Sequence, residues 1–297
     1  MRKIDVMIIG AQKAGTTYLK NILSRHPEIS THIQTEFSYF RDEKEYEKDY
    51  ITVYRKSFRK NRLKAKIVLA KNAGIYDSRK ALERLRQHNP ECKIILIMRE
   101  PVSRAVSSFN MELFNGWLHR DFEELKTIIE NNKHDDVLYQ LFINLGLYIN
   151  HIKVLKEYFP ENNIKYFLFE DLQKNPHQIF NETCEWLNID SQISPQLKTE
   201  RNASRKARSQ FYATVLNKLR KKNNPFKKAA KTVLPYTIFT RIGNFLIKSN
   251  KSNKLPEPVS KDMKLFLYQY FKPFNNKLQK ETGINLDLWR KKFEEPA

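Results

Sequence analysis

Short runs of consecutive apolar residues alternate along this chain with longer stretches whose apolar positions recur at helical spacing. Ile4–Ile9 is such a run, ending in Gly10, and predicts a buried strand. Tyr18–Leu23 begins a helical pattern that stops before His26-Pro27. Ile67–Ala70 predicts a second strand, and Lys93–Met98, with Ile94 to Ile97 all apolar, a third. Between them Ser78–His88 predicts a charged helix, with Asp77 or Ser78 as N-cap. Tyr139–Phe159 carries apolar residues at helical spacing up to Pro160, Ile164–Phe169 predicts a fourth strand, and a helix follows over roughly Pro176–Leu187. Met263–Leu278 predicts a closing amphipathic helix. Strands that are continuously apolar and separated by helices imply an α/β fold, with a central parallel sheet covered on both faces in three layers.

Composition narrows the partners. The 297 residues are 40% hydrophobic and 12% aromatic, enough to build a core despite 29% charge. Lys and Arg number 54 against 33 Asp and Glu, a net +21. That surplus implies anionic partners: nucleotides, phosphorylated or sulfated ligands, nucleic acid or an acidic membrane face. Two distant cysteines, Cys92 and Cys184, give no disulfide framework and no zinc spacing. Met1–Asp5 is followed by only four apolar residues before Gly10, too few for a secretory signal, so cytoplasmic residence is expected.

The segment Gly10-Ala11-Gln12-Lys13-Ala14-Gly15-Thr16-Thr17 lies between a predicted strand and a predicted helix. There the glycines let backbone N–H groups turn inward, the helix adds its positive end, and Lys13, Thr16 and Thr17 add donors. The loop therefore reads as a phosphate cradle. It lacks the Gly-Lys-Ser/Thr ending of a nucleotide triphosphatase, and Arg99 ends the third strand where a magnesium-holding carboxylate is expected. Arg99 is suited to grip a second phosphate, unless it pairs with Glu100 or a helix end, and Ser107 follows two helical turns later as a further donor.

Two separated phosphate sites in this arrangement resemble those of the sulfotransferases that use 3′-phosphoadenosine-5′-phosphosulfate (PAPS). The first loop is similar to that family's 5′-phosphosulfate loop, and Arg99 with Ser107 to its 3′-phosphate pair. The chain is most similar to the heparan sulfate and bacterial carbohydrate branch. Gly146-Leu147-Tyr148, His151, Phe159-Pro160, Glu170-Asp171-Leu172 and Asn175-Pro176 support this over roughly residues 4–208, with a weaker likeness up to Trp289. The resemblance implies a P-loop nucleoside triphosphate hydrolase-like fold, PAPS as co-substrate, 3′-phosphoadenosine-5′-phosphate (PAP) as product, and no required metal.

It also implies roles. Thr35-Glu36-Phe37-Ser38-Tyr39-Phe40 is similar to the family's Lys-Glu-x-His-Phe-Phe segment, which makes Glu36 the general base. Lys71, ending the second strand, matches a lysine near the transferred group, and Lys13 is the candidate for stabilising the leaving oxygen. Arg205-Lys206-Ala207-Arg208 resembles a segment closing over the donor, with Lys206 and Arg208 as phosphate contacts. Tyr39, Phe40, Arg41, Tyr76 and Phe109 are expected to line the cleft of a carbohydrate or glycolipid acceptor.

Arg201–Pro256 contains no acidic residue. A single domain spanning 1–297 is expected, with an appended basic helical region at about 209–256. That region suits an acidic glycan or peripheral contact with the inner face of a membrane, or packs on the core. Two rival functions stay open, a metal-dependent small-molecule kinase and a nucleic-acid binder. The second is disfavoured because base-reading and stacking motifs are missing, so no nucleic acid is expected.

Overall fold

The computed structural model describes residues 2–58, 65–115, 117–118, 120–191 and 259–294. The expected phosphate contacts Lys206 and Arg208, and the basic region at 209–256, lie outside the described residues.

Five strands form one sheet in the order β2-β3-β1-β4-β5: β1 (Val6–Gly10), β2 (Ile29–Thr31), β3 (Ile67–Lys71), β4 (Lys93–Met98) and β5 (Ile164–Leu168). Every pairing is parallel. The helices are α1 (Thr16–Leu23), α2 (Glu43–Tyr46), α3 (Tyr50–Ser57), α4 (Arg79–His88), α5 (Pro101–Asn115), α6 (Glu124–Glu130), α7 (Tyr148–Tyr158), α8 (Phe169–Lys174), α9 (Pro176–Trp186), α10 (Lys261–Thr282) and α11 (Asp287–Glu294). All five residues of β1 and the last five of β4 are buried, which is why those segments read as continuous apolar runs rather than alternating ones. Each fully buried Ile or Leu there contributes about 1.5–3 kcal/mol.

The four strands and four of the five helices expected from the sequence are present, with these differences. Ile29–Thr31 forms an edge strand too short to show a period. Helices α2 and α3 arise on N-caps Asp42 and Asp49 in a polar stretch. Tyr139–Phe159 is not one helix: a π-turn over Tyr139–Ile143 and a 3-10 turn over Asn144–Gly146 precede α7. β5 ends at Leu168, so Phe169 starts α8 instead of closing the strand. Ser78, not Asp77, caps α4, its side chain accepting from Ala81 N–H.

The chain divides into two compact units. The first comprises Met1–Arg104, Ile143–Glu200 and Tyr268–Ala297 and contains the whole sheet. The second comprises Ala105–Phe142 and Arg201–Leu267. In its described part the Phe109 ring packs edge-on against Phe122 and Phe142, at 4.9 and 5.6 Å. Arg120 there bridges Glu124 and Asp136.

Strand order locates the site before any side chain is considered. From β1 the chain moves toward β3 and β2, whereas from β4 it moves toward β5. Connections leaving adjacent strands in opposite directions open a crevice at their carboxyl ends, where α/β sheets bind ligands. Here that crevice lies between β1, which ends in Gly10, and β4, which is followed by Arg99.

Candidate active site

The loop after β1 is shaped by two conformations that ordinary residues avoid. Gly15 has φ 84° and Lys13 φ 71°, both left-handed. A β-carbon on Gly15 would also meet the Phe169 ring at 2.9 Å. For lysine the left-handed conformation costs about 1–2 kcal/mol, a kind of strain that clusters at ligand sites. Gly10 is required by space alone, since a β-carbon would sit 2.4 Å from the Tyr76 ring. Helix α1 starts at Thr16, and Gly15 before it supplies no side-chain cap, which leaves the helix's first N–H groups without that partner. Ala11 N–H donates to Ile97 O at 2.7 Å and ties the loop to β4.

Arg99 follows β4 on the other side of the crevice. Its Nη1 donates to Lys13 O at 3.1 Å, and its guanidinium lies 4.6 Å from the centre of the Phe169 ring. Burial presses this guanidinium down from its usual range, with Glu170, Tyr148 and Glu100 opposing. Tyr148 Oη fixes the backbone at Arg99, accepting from its N–H and donating to its carbonyl. Glu100 does not take Arg99 as partner. Its carboxylate accepts from Val102 N–H, Ser103 N–H and Ser103 Oγ and caps the start of α5. Glu170 accepts from Glu100 N–H and from Trp289 Nε1, which anchors α11 to the same corner. Ser107 lies further along α5, in the second unit.

The base side is built on β3. Lys71 is 1% exposed at the strand's last position, and its Nζ donates both to Thr17 Oγ1 at 3.0 Å and to Glu36 Oε1 at 2.6 Å. The second oxygen of Glu36 accepts from Ala73 N–H at 3.0 Å. Glu36 is thus held at both oxygens while 37% of its side chain faces solvent. One buried ammonium therefore joins the phosphate loop to the candidate base. Such an arrangement orients a carboxylate for proton abstraction beside a phosphate cradle.

The expected acceptor-lining residues divide. Tyr39 and Arg41 reach the surface, Arg41 lying 3.8 Å from Asp77. The expectation for Phe40 and Tyr76 is corrected, because both are packing residues. Phe40 is 0% exposed among Phe37, Tyr39 and His88. Tyr76 is 2% exposed, its ring over Gly10 and its hydroxyl on Leu145 O. Phe109 is likewise buried, in the aromatic cluster of the second unit. Sequence reasoning missed Tyr148 and Phe169 as neighbours of Arg99, Trp289 as the partner of Glu170, and Thr17 as the partner of Lys71. The available signal was position: Phe169 follows β5, whose carboxyl end borders that of β4.

A sulfotransferase domain family model matches residues 3–239. The bifunctional heparan sulfate N-deacetylase/N-sulfotransferase 1 of Caenorhabditis briggsae is 23% identical over 193 residues, covering 62% of this chain and 22% of that protein. Heparan sulfate glucosamine 3-O-sulfotransferase 5 of Homo sapiens is 26% identical over 285 residues, covering 95% of this chain and 72% of that protein. The chain spans less than half the length of the first curated relatives it matches. The crystal structure of a sulfotransferase from Alicyclobacillus acidocaldarius superposes with a TM-score of 0.67 at 18% identity, covering 98% of this chain and 100% of that one. At that identity the likeness speaks for the fold, which is the P-loop-like three-layer fold expected from the sequence. The family model spans most of the chain and both halves of the crevice described above: this protein belongs to the sulfotransferase domain family.

Proposed function

We propose that this protein transfers the sulfuryl group of PAPS to a hydroxyl of a carbohydrate or glycolipid acceptor. The observation that carries the reading is the Lys71 ammonium, bonded to Thr17 of the phosphate loop on one side and to Glu36 on the other. In this reading the 5′-phosphosulfate lies on the N–H groups of Gly10–Thr17 and the 3′-phosphate is held by Arg99. Glu36 takes the proton of the acceptor hydroxyl as its oxygen bonds to sulfur. The bond between sulfur and the bridging oxygen breaks, and that oxygen leaves with the electron pair as part of PAP. Lys13 and Lys71 stabilise the charge that develops there, a preorganised cationic site of the kind that lowers barriers by several kcal/mol. A glycan acceptor is favoured because relatives along most of the chain are named for heparan sulfate. The half-buried Tyr39 and the exposed Arg41, which follow Glu36 in sequence, offer stacking and charge to an acidic sugar.

The test is transfer of sulfur label from PAPS to a panel of desulfated heparan-type polysaccharides and glycolipids. Label appearing in an acceptor, with PAP released in equal amount, supports the reading. Label from the γ-phosphate of ATP entering an acceptor instead, or no transfer from PAPS to any member, overturns it.

A further inference from the structure

The segment that carries Glu36 leaves β2 at Thr31 and runs through a series of bends, without a helix or strand of its own. Its start is held by backbone bonds, His32 bridging Phe58 and Ile33 N–H donating to Ser57 O at 2.9 Å, and a side chain on α1 adds a further hold. Lys20 belongs to the buried face of that helix with Thr16, Leu19, Ile22 and Leu23, and is only 6% exposed. Its ammonium donates to His32 O at 3.1 Å and to Gln34 O at 3.0 Å. His32 continues the connection, since its Nε2 accepts the backbone N–H of Lys71 at 3.1 Å. Burial, with Lys20 and Lys71 adding to it, lowers His32 to about 3, so at neutral pH the ring is uncharged and remains an acceptor. Phe37 N–H then donates to Lys71 O at 2.8 Å on the far side of Glu36.

A lysine is a poor choice for a helix face that packs on a core. Burying its charge is unfavourable, and an apolar residue of similar volume usually serves stability as well or better. What Lys20 provides and an apolar residue does not is two directed bonds to the backbone ahead of Glu36. The same helix begins with the phosphate loop, so those bonds set the base relative to the donor. We propose that Lys20 is a positioning residue, which registers the Glu36 segment against the donor helix through the carbonyls of His32 and Gln34. The inference rests on the sulfuryl-transfer reading for its effect on rate, but not for its structural content.

Two measurements on Lys20→Met test it. In hydrogen exchange, amides of residues 33–37 should exchange at least ten-fold faster than in the unaltered protein, while those of the loop at 10–17 and of β4 stay unchanged. In steady-state transfer, kcat should fall roughly ten- to hundred-fold, the loss typical of a misplaced reacting group. The KM for PAPS and the affinity for PAP should stay within about two-fold, because the loop is intact. In a Glu36→Gln background the same substitution should change kcat by less than about two-fold, since the residue it positions is gone. Lys20→Gln, which keeps an N–H donor, should show the same split with a smaller drop and serves if the methionine variant does not fold. Unchanged exchange at 33–37 overturns the proposal. So does PAP affinity falling as far as kcat, or a full further loss in the Glu36→Gln background. If the unaltered protein transfers no sulfate, the functional reading fails, while the exchange result still decides the positioning claim.

Discussion

The two ends of the sheet carry similar charge and use it differently. At the amino ends of the strands, Arg2, Lys3, Lys66 and Lys93 border a shallow pocket with Asp5 and Glu91. There Lys66 donates to Asn188 O and Lys93 to Trp186 O, just beyond and at the carboxyl end of α9, where unpaired carbonyls attract cations. Arg2 donates to Ala65 O. At the carboxyl ends, Lys71 instead joins a hydroxyl and a carboxylate from two other segments, and Arg99 stands over an aromatic ring beside a loop of inward N–H groups. A net charge of +21 marks neither end. What distinguishes them is Lys71: the lysines at the amino end bond to backbone carbonyls beside α9, whereas Lys71 bonds to a side-chain hydroxyl and a carboxylate.

The contrast is open to direct attack, and the largest effect is expected at Glu36. Glu36→Gln removes the proposed base and keeps an acceptor for only one of Lys71 and Ala73, so kcat should fall about 10²–10⁴-fold with PAP affinity intact. Rates of label transfer with titration of PAP by calorimetry check this. Lys13→Ala follows, at roughly 10²–10³-fold in kcat, about 3–4 kcal/mol of transition-state stabilisation. Survival of most activity in that variant would remove Lys13 from the chemistry.

Two smaller effects concern stability. His32 is lowered to about 3 by burial and then by Lys20 and Lys71, and His88 to about 4 by burial and then by Lys3. Both fall below the unfolded value, so between these limits the unfolded chain binds more protons, and stability is lost as pH drops below about 6.5. Going from pH 7 to pH 5 should cost about 2 kcal/mol for each histidine. His32→Gln, whose amide oxygen is able to accept from Lys71 N–H, should remove about 2 kcal/mol of that pH dependence, read as urea midpoints at the two pH values. At the opposite end, Lys93→Met should lower stability by about 1 kcal/mol, as loss of one partly exposed charged hydrogen bond. It should leave PAP affinity and kcat unchanged. A drop in PAP affinity from Lys93→Met would erase the distinction between the ends.

Much of this was readable in the sequence because burial writes itself into apolar runs. β1, β3, β4 and β5 are fully or mostly buried and show it, and Gly10–Thr17 stands at a strand-to-helix step that chemistry marks clearly. Lys71 and Glu36 were legible as separate candidates but not as a pair, because the bond between them spans 35 positions and depends on strand order. β2 escaped because three residues carry no period. Lys20 escaped because its charge hides it: read by type it is a surface residue, and only its spacing from Thr16 and Leu23 puts it on the buried face. Phe40 and Tyr76 were misassigned for the opposite reason. Aromatic residues beside a site read as lining it, yet here they fill the space beneath the loop and the base segment.

The most direct measurement is a crystal structure of the protein with PAP. The account predicts the 5′-phosphate on the N–H groups of Gly10–Thr17, with Lys13 on it, Arg99 on the 3′-phosphate, and the Glu36–Lys71 pair facing the place where sulfate would be attached. PAP found among Arg2, Lys66 and Lys93 at the amino ends of the strands, or bound without contact to the loop, would contradict it.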